Sequence, residues 1–191
     1  MEAVMVCEKE KCLLLSSLGI NVNLAPVCDI TTDPNAFLFS RSLGQSPEIT
    51  ADFVRDTVRE MNSNRVGSCL KHFPGYGNNA DTHIGIATDS RSLTELEYYD
   101  LIPFTAGIEA GADAILVSHT IVEALDPQNP ASLSPNVHQI LREELGFTGV
   151  MYDGSALPYE ENAANTRTAV AMAKEYGANV EAEIGTLASR E

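Results

Sequence analysis

The chain has 191 residues, 44% hydrophobic and 20% charged, a composition typical of one soluble globular domain with a sizeable core. Its formal net charge of −15 repels nucleic-acid phosphates and anionic membrane surfaces, so we expect neither nucleic acid nor a membrane as a partner. Residues 1–11 carry charges where a signal peptide has an apolar run, and no stretch reaches the roughly 18 apolar residues of a membrane span, so we expect a cytoplasmic protein.

Helical and strand-like hydrophobic patterns alternate along the chain. Apolar residues at helical spacing predict helices over residues 3–18, 47–62, 93–110, 135–145 and 158–176. Apolar runs rich in β-branched residues predict strands over residues 20–30, 66–72, 114–119, 149–153 and 179–184. A glycine stands between helix and strand in each repeat, where a helix commonly ends: Gly19, Gly67, Gly111, Gly146 and Gly177.

These repeats predict an α/β fold with a parallel sheet, since apolar strands separated by helices are covered on both faces. The two candidate architectures are a doubly wound sheet and a TIM barrel. The dinucleotide-binding form of the first is disfavoured, because no G-x-G-x-x-G follows a strand. A closed barrel needs eight strands. With five predicted strands, we expect a single α/β domain of TIM-barrel-derived βα repeats, with a barrel that is incomplete or completed by a homo-oligomer.

Polar and ionisable residues follow the predicted strands. In a barrel these positions lie at the carboxyl ends of the strands, where active sites are built. The residues concerned are Asp29, Lys71 with His72, Ser118 with His119, Asp153 and Glu183.

The densest motif is K-H-F-P-G-Y-G at residues 71–77, followed by Asp81 and His83. In an Asp-x-His pair the carboxylate accepts one imidazole N–H, which fixes the tautomer and lets the other ring nitrogen shuttle a proton. Taken alone, such a histidine is more often a solvated loop residue.

Together these motifs resemble the catalytic domain of family 3 glycoside hydrolases, of the β-N-acetylglucosaminidase type. The resemblance extends over residues 19 to about 153 and is carried by residues 19–29, 41–44, 71–83, 101–104, 111–119, 130–134 and 141–150. It implies a TIM barrel and a small carbohydrate substrate, with no cofactor and no metal.

The resemblance also implies a retaining mechanism with three catalytic residues. Asp153 stands where the family has its nucleophile, His83 where it has its general acid/base, and Asp81 where it has the partner that orients this histidine. A glycosyl-enzyme would form on Asp153 and be hydrolysed by water.

Several further residues match positions that hold sugar hydroxyls in the family. Arg41, Lys71 and His72 are such matches, although a structural ion-pair network would also explain Lys71 and His72. For His119 and Asp29, a role in the pocket and a role in the scaffold are equally open.

Residues 154–162 depart from the family pattern. Residues 150–162 and 179–187 resemble instead class II fructose- or tagatose-bisphosphate aldolases, which are also TIM barrels. We therefore expect a chimera, recombined or engineered, in which a glycosidase-like segment (residues 1–149) joins an aldolase-like segment (residues 150–191). The alternative is a divergent natural protein.

Three functions remain open from the sequence. The first is retaining hydrolysis of terminal β-linked N-acetylglucosamine or a similar β-hexoside, weak or lost because sugar-holding groups that precede this segment in the family are absent. The second is an inactive chimeric barrel. The third is a metal-dependent aldolase. It is disfavoured because no histidine follows His138 that could bind a metal together with Glu183. Glu183 is better explained as a packed or solvated carboxylate.

Overall fold

The computed structural model describes residues 2–79, 87–145, 149–153, 158–175 and 179–183. The chain divides into two compact units, residues 1–147 and residues 148–191. The sequence-based expectation of a single domain stays a prediction.

The helices of the first unit follow the predicted pattern. They are α1 (Glu2–Ser17), α2 (Pro47–Ser63), α3 (Leu93–Glu95), α4 (Leu101–Glu109) and α5 (Pro135–Gln139). A π-helical turn, Leu96–Asp100, joins α3 to α4, and a second one, Ile140–Glu144, extends α5. The predicted helices over residues 93–110 and 135–145 are therefore confirmed as continuous helical segments.

Serine caps explain where three of these helices begin. The hydroxyl oxygens of Ser46, Ser92 and Ser134 accept backbone N–H groups in the first turns of α2, α3 and α5. Pro47 and Pro135 follow two of these caps at positions where a missing N–H costs no helical hydrogen bond.

The first unit contains a parallel sheet in the order β1-β2-β4. Its strands are β1 (Val22–Asn23), β2 (Gly67–Phe73) and β4 (Ala114–Val117). A second parallel pair is formed by β3 (Thr88–Asp89) and β5 (Ile121–Val122), which are too short to be found from a hydrophobic pattern.

The predicted strand over residues 20–30 is shorter than expected, because regular pairing ends at Asn23. The chain nevertheless continues along β2 through irregular backbone bonds. Cys69 N–H donates to Ala25 O at 2.8 Å, and Cys28 N–H donates to Lys71 O at 2.7 Å. Asp29 consequently lies beside the carboxyl end of β2.

The core of the first unit lies between this sheet and helices α2 and α4. Val54, Leu70, Phe73 and Phe104 are fully buried, and the two phenyl rings meet edge to face at 5.2 Å. Gly107 lets α4 approach the sheet, since a Cβ there would lie 2.7 Å from the Leu70 methyl groups. This packing supports the strand whose last residues reach the candidate site.

The second unit is a βαβ arrangement. It contains β6 (Gly149–Asp153), α6 (Tyr159–Glu175) and β7 (Asn179–Glu183), as predicted. The two strands are parallel, and the register opposes Asp153 to Glu183 at their carboxyl ends.

The α/β class and the parallel strands are thus confirmed, whereas closure into a barrel stays a prediction. Across the described parts of both units, no helix is long and apolar enough to cross a membrane.

Candidate active site

The carboxylate of Asp29 organises the carboxyl end of β2. Its side chain is fully buried. Oδ2 accepts the backbone N–H of His72 at 3.0 Å and lies 2.8 Å from the Nδ1 atom of the same residue. Oδ1 accepts the backbone N–H of Tyr76 at 2.7 Å. One carboxylate therefore fixes both the strand end and the start of the loop after it, which gives Asp29 a scaffold role.

His72 receives its orientation from this contact. With Nδ1–H donating to Asp29, the ring nitrogen that can accept a proton from a ligand hydroxyl is Nε2. The Tyr76 ring meets the imidazole edge to face at 5.8 Å, and 14% of the His72 side chain is exposed. The imidazole is thus held on one side and accessible on another.

Two cations lie near this corner. Burial lowers the pKa of Lys71, and the positive charge of Arg41 lowers it further. Arg41 ends a 3-10 turn (Phe39–Arg41), and its guanidinium lies 5.9 Å from the centre of the Phe37 ring. Lys71 and Arg41 therefore present hydrogen-bond donors close together, as a ligand rich in hydroxyl oxygens requires.

His119 lies beyond β4, at the same edge of the sheet. Its Nδ1 is 2.8 Å from the hydroxyl of Ser132, and the ring is exposed. The backbone links this region to β2, since Ser118 N–H donates to Phe73 O at 2.8 Å. His119 thus lies exposed at this edge, held by one contact to Ser132.

A buried ion network lies next to the loop that follows β2. The guanidinium of Arg91 donates to both carboxylate oxygens of Asp89, at 2.6–3.0 Å, and to Oδ2 of Asp100 at 2.6 Å. Burial raises the pKa of Asp100 to about 7, although Arg91 acts in the opposite direction. This network was not predicted from the sequence, in which its only local signal is the spacing of Asp89 and Arg91.

A cavity of about 310 Å³ opens beside this network. Thr31, Asn78, Asp89 and Tyr99 are among its lining residues, so the cavity is mainly polar. Thr31 donates its hydroxyl hydrogen to the Asn78 amide oxygen at 2.6 Å, which joins the chain after Asp29 to the loop after β2.

The comparison with protein families decides the assignment. The glycosyl hydrolase family 3 N-terminal domain matches residues 11–183, nearly the whole chain. The chain belongs to glycosyl hydrolase family 3. The matched range includes residues 150–183, most of the segment that the sequence predicts to be aldolase-like.

Known relatives of this family 3 chain include bacterial β-hexosaminidases. One from Stenotrophomonas maltophilia K279a is 40% identical over 156 residues, which cover 79% of this chain and 46% of the relative. One from Xanthomonas oryzae pv. oryzae MAFF 311018 is 40% identical over 136 residues, covering 70% and 40% of the two chains. The chain spans about half the length, or less, of the curated relatives it matches.

Solved structures agree with the family. NagZ from Neisseria gonorrhoeae, in complex with N-trifluoroacetyl-D-glucosamine, superposes with a TM-score of 0.78 at 27% identity over 97% of this chain and 55% of the other. A family 3 β-N-acetylglucosaminidase from Paenibacillus sp. str. FPU-7 gives 0.76 at 32% identity over 97% and 35%.

The predicted site residues of this family 3 chain fall into two groups. Asp29, Arg41, Lys71, His72 and His119 lie in the first unit, and the sheet register brings the last three to one edge. The predicted catalytic residues are described less completely. Asp81 and His83 lie outside the described residues, and for Asp153 only the backbone position at the end of β6 is described.

Proposed function

We propose that this chain carries the site for retaining hydrolysis of a terminal β-linked N-acetylglucosamine or a similar β-hexoside. Family membership and the β-hexosaminidase relatives support the reaction class. The observation that carries the proposal is the contact of buried Asp29 with the Nδ1 atom and backbone N–H of His72, next to Lys71 and Arg41.

The described residues act in substrate binding. Nε2 of His72 accepts a sugar hydroxyl, because Asp29 already takes the Nδ1 proton. Lys71 and Arg41 donate to neighbouring hydroxyl oxygens, and a ligand oxygen between them relieves the repulsion by Arg41 that lowers the pKa of Lys71. Binding energy from these remote hydroxyls then positions the anomeric carbon for reaction.

The chemical steps belong to three further residues. Asp153 attacks the anomeric carbon while His83 protonates the leaving oxygen, and water later displaces the sugar from Asp153 with His83 as base. Asp81 orients His83 and stabilises its protonated form. These roles rest on the family resemblance of residues 71–83 and 149–153.

The test is hydrolysis of a chromogenic N-acetyl-β-glucosaminide. Wild type is compared with Asp153→Asn and His83→Ala, prepared in the same host to control for contaminating hydrolases. Turnover that disappears in both variants is the expected result. Equal rates in all three folded proteins would contradict the proposal and favour the inactive chimeric barrel.

The chimeric origin is a separate proposal. We infer that residues 150–191 derive from an aldolase-like barrel, on the strength of residues 150–162 and 179–187. Alignments with two curated relatives cover 79% and 70% of the chain, and the family match extends over residues 11–183. Zinc-dependent cleavage of fructose 1,6-bisphosphate would favour the aldolase function, and we expect none.

We also propose that the chain forms a homo-oligomer through α1. One side of this helix packs on Met61 and Val66 through Cys12, yet Val6 and Leu14 are 54% and 59% exposed. Large apolar side chains exposed on one helix mark a surface suited to a protein partner. Light scattering on the purified protein should give a dimer or larger, and a monomer at all concentrations would contradict this.

A further inference from the structure

The described residues that flank the proposed acid/base pair meet at one contact cluster. Gly75 precedes the segment and Asp89 follows it. The Nη2 atom of Arg91 lies 3.4 Å from the carbonyl oxygen of Gly75 and 2.6 Å from Oδ2 of Asp89. One guanidinium therefore contacts the chain on both sides of residues 76–88.

The same guanidinium is anchored to a helix. Its Nη1 donates to Oδ2 of Asp100, in the π-helical turn Leu96–Asp100. The side chains of Asp89 and Asp100 are 2% and 0% exposed. Charge-assisted bonds to buried carboxylates hold a guanidinium in a defined position, because its five donors form a rigid planar fork.

We propose that Arg91 is a positioning residue for the acid/base pair, acting by joining both ends of residues 76–88 to the Leu96–Asp100 turn. The inference rests on the proposed function, since it assigns to Arg91 the placement of His83 and Asp81 relative to the sugar.

Two glycines show how closely the loop lies against the cluster. A Cβ on Gly77 would lie 2.8 Å from Cζ and Nη2 of Arg91. A Cβ on Gly75 would overlap the carboxylate of Asp100, and both glycines have positive φ, +121° at Gly75 and +56° at Gly77. The backbone after β2 thus follows the surface of the cluster, and side chains at these positions would displace it.

The electrostatics favour an intact cluster. Burial alone would lower the pKa of Arg91, but hydrogen bonds and charge from Asp89, together with the charge of Asp100, raise it. Burial alone would likewise raise the pKa of Asp89, yet the Arg91 hydrogen bonds lower it. The contacts within the cluster therefore favour the charged forms of Asp89 and Arg91 despite their burial.

Arg91→Lys tests the proposal, because a lysine keeps the charge but cannot contact Asp89, Asp100 and Gly75 in one plane. The matched control is Arg55→Lys, since Arg55 pairs with a single exposed carboxylate, Asp52, at 2.5 Å. We expect kcat for the chromogenic substrate to fall about 10- to 100-fold in the Arg91 variant, with KM changed less than about threefold. The control should stay within about twofold of wild type.

A second readout does not depend on turnover. Amide hydrogen exchange in Arg91→Lys should increase in peptides covering residues 74–90 and stay unchanged in the α2 core around Val54 and Val58. The proposal would be overturned if Arg91→Lys and Arg55→Lys had the same kcat and the same amide hydrogen exchange. A uniform rise in exchange across the protein would also overturn it, because that indicates a purely structural role.

The design separates this inference from the proposed function. If wild type shows no hydrolysis, the proposed function fails, and the exchange pattern alone decides whether Arg91 positions the segment. If Arg91→Lys does not fold, Asp89→Asn takes its place, because it weakens the same contacts without shortening a side chain. The criterion stays the same: increased exchange confined to residues 74–90 supports the proposal, and a uniform increase overturns it. Asp89→Asn with wild-type exchange in residues 74–90 would overturn the proposal.

Discussion

Two buried aspartates near the carboxyl end of β2, Asp29 and Asp100, differ in how their carboxylate oxygens are hydrogen-bonded. Asp29 uses both oxygens, which accept two backbone N–H groups and contact the Nδ1 atom of His72. Asp100 bonds Arg91 through Oδ2, and no hydrogen-bond partner of its buried Oδ1 is found among the described residues.

The difference lies in what surrounds each carboxylate. Backbone N–H groups of the folded loop compensate the buried charge of Asp29. Asp100 has one arginine contact instead, and its burial outweighs that contact and raises its pKa to about 7. Asp29 is thus a fixed support for the corner that contains Lys71 and His72. Asp100 is the support that responds to pH.

Gly75→Ala should have the largest effect, because it forces a side chain against Asp100 at φ +121°. We expect a loss of about 3–5 kcal/mol in the free energy of unfolding, from overpacking and backbone strain together. Chemical denaturation measures it. Gly44→Ala is the control, with φ +65° and no atom within 4 Å, and it should cost roughly 1–2 kcal/mol. Equal losses would mean that Asp100 does not limit the space at residue 75.

Asp29→Asn should cost about 2–4 kcal/mol at neutral pH. The backbone N–H groups of His72 and Tyr76 now donate to the two oxygens of Asp29. An asparagine replaces one of these oxygens with an NH2 group, so one buried N–H group loses its acceptor. Urea unfolding measures the loss. Asp52→Asn, at an exposed ion pair, should change stability by less than about 1 kcal/mol. An Asp29 variant as stable as this control would remove the distinction between the two aspartates.

Asp100→Asn should change the pH dependence of stability. A folded-state pKa of about 7, above the ordinary 3.8, means that the carboxyl contributes stability at low pH and loses it as pH rises through 7. Relative to the variant, wild type should lose about 2–3 kcal/mol between pH 5 and pH 8. The charged groups acting on Asp100 are Arg91, Asp89 and Asp29. A constant difference across this range would show that Asp100 does not titrate there.

Lys71→Met should have the smallest effect and concerns binding on the Asp29 side. Loss of one donor to a sugar hydroxyl should lower kcat/KM about 10-fold, with little change in stability. Steady-state kinetics measures it beside Lys9→Met, an exposed residue on α1. Identical kinetics in the two variants would leave Lys71 as a structural residue.

The sequence predicted much of the fold and part of the site. The helices and longer strands were found because their apolar periodicity is strong, and Lys71 and His72 were found because they end a strand. The role of Asp29 could not be decided, since no pattern reveals which backbone N–H groups turn toward a carboxylate. The Arg91 cluster was missed because its contacts to Asp100 and Gly75 arise only from folding.

The most direct test of the account is trapping of the glycosyl-enzyme. The protein is incubated with a fluorinated N-acetylglucosaminyl fluoride, which forms the covalent intermediate and slows its hydrolysis, and is then digested for mass spectrometry. The account predicts one added sugar on the peptide that contains Asp153, absent from Asp153→Asn. Hydrolysis of the chromogenic substrate by wild type with no adduct, or with the adduct on another peptide, would contradict it.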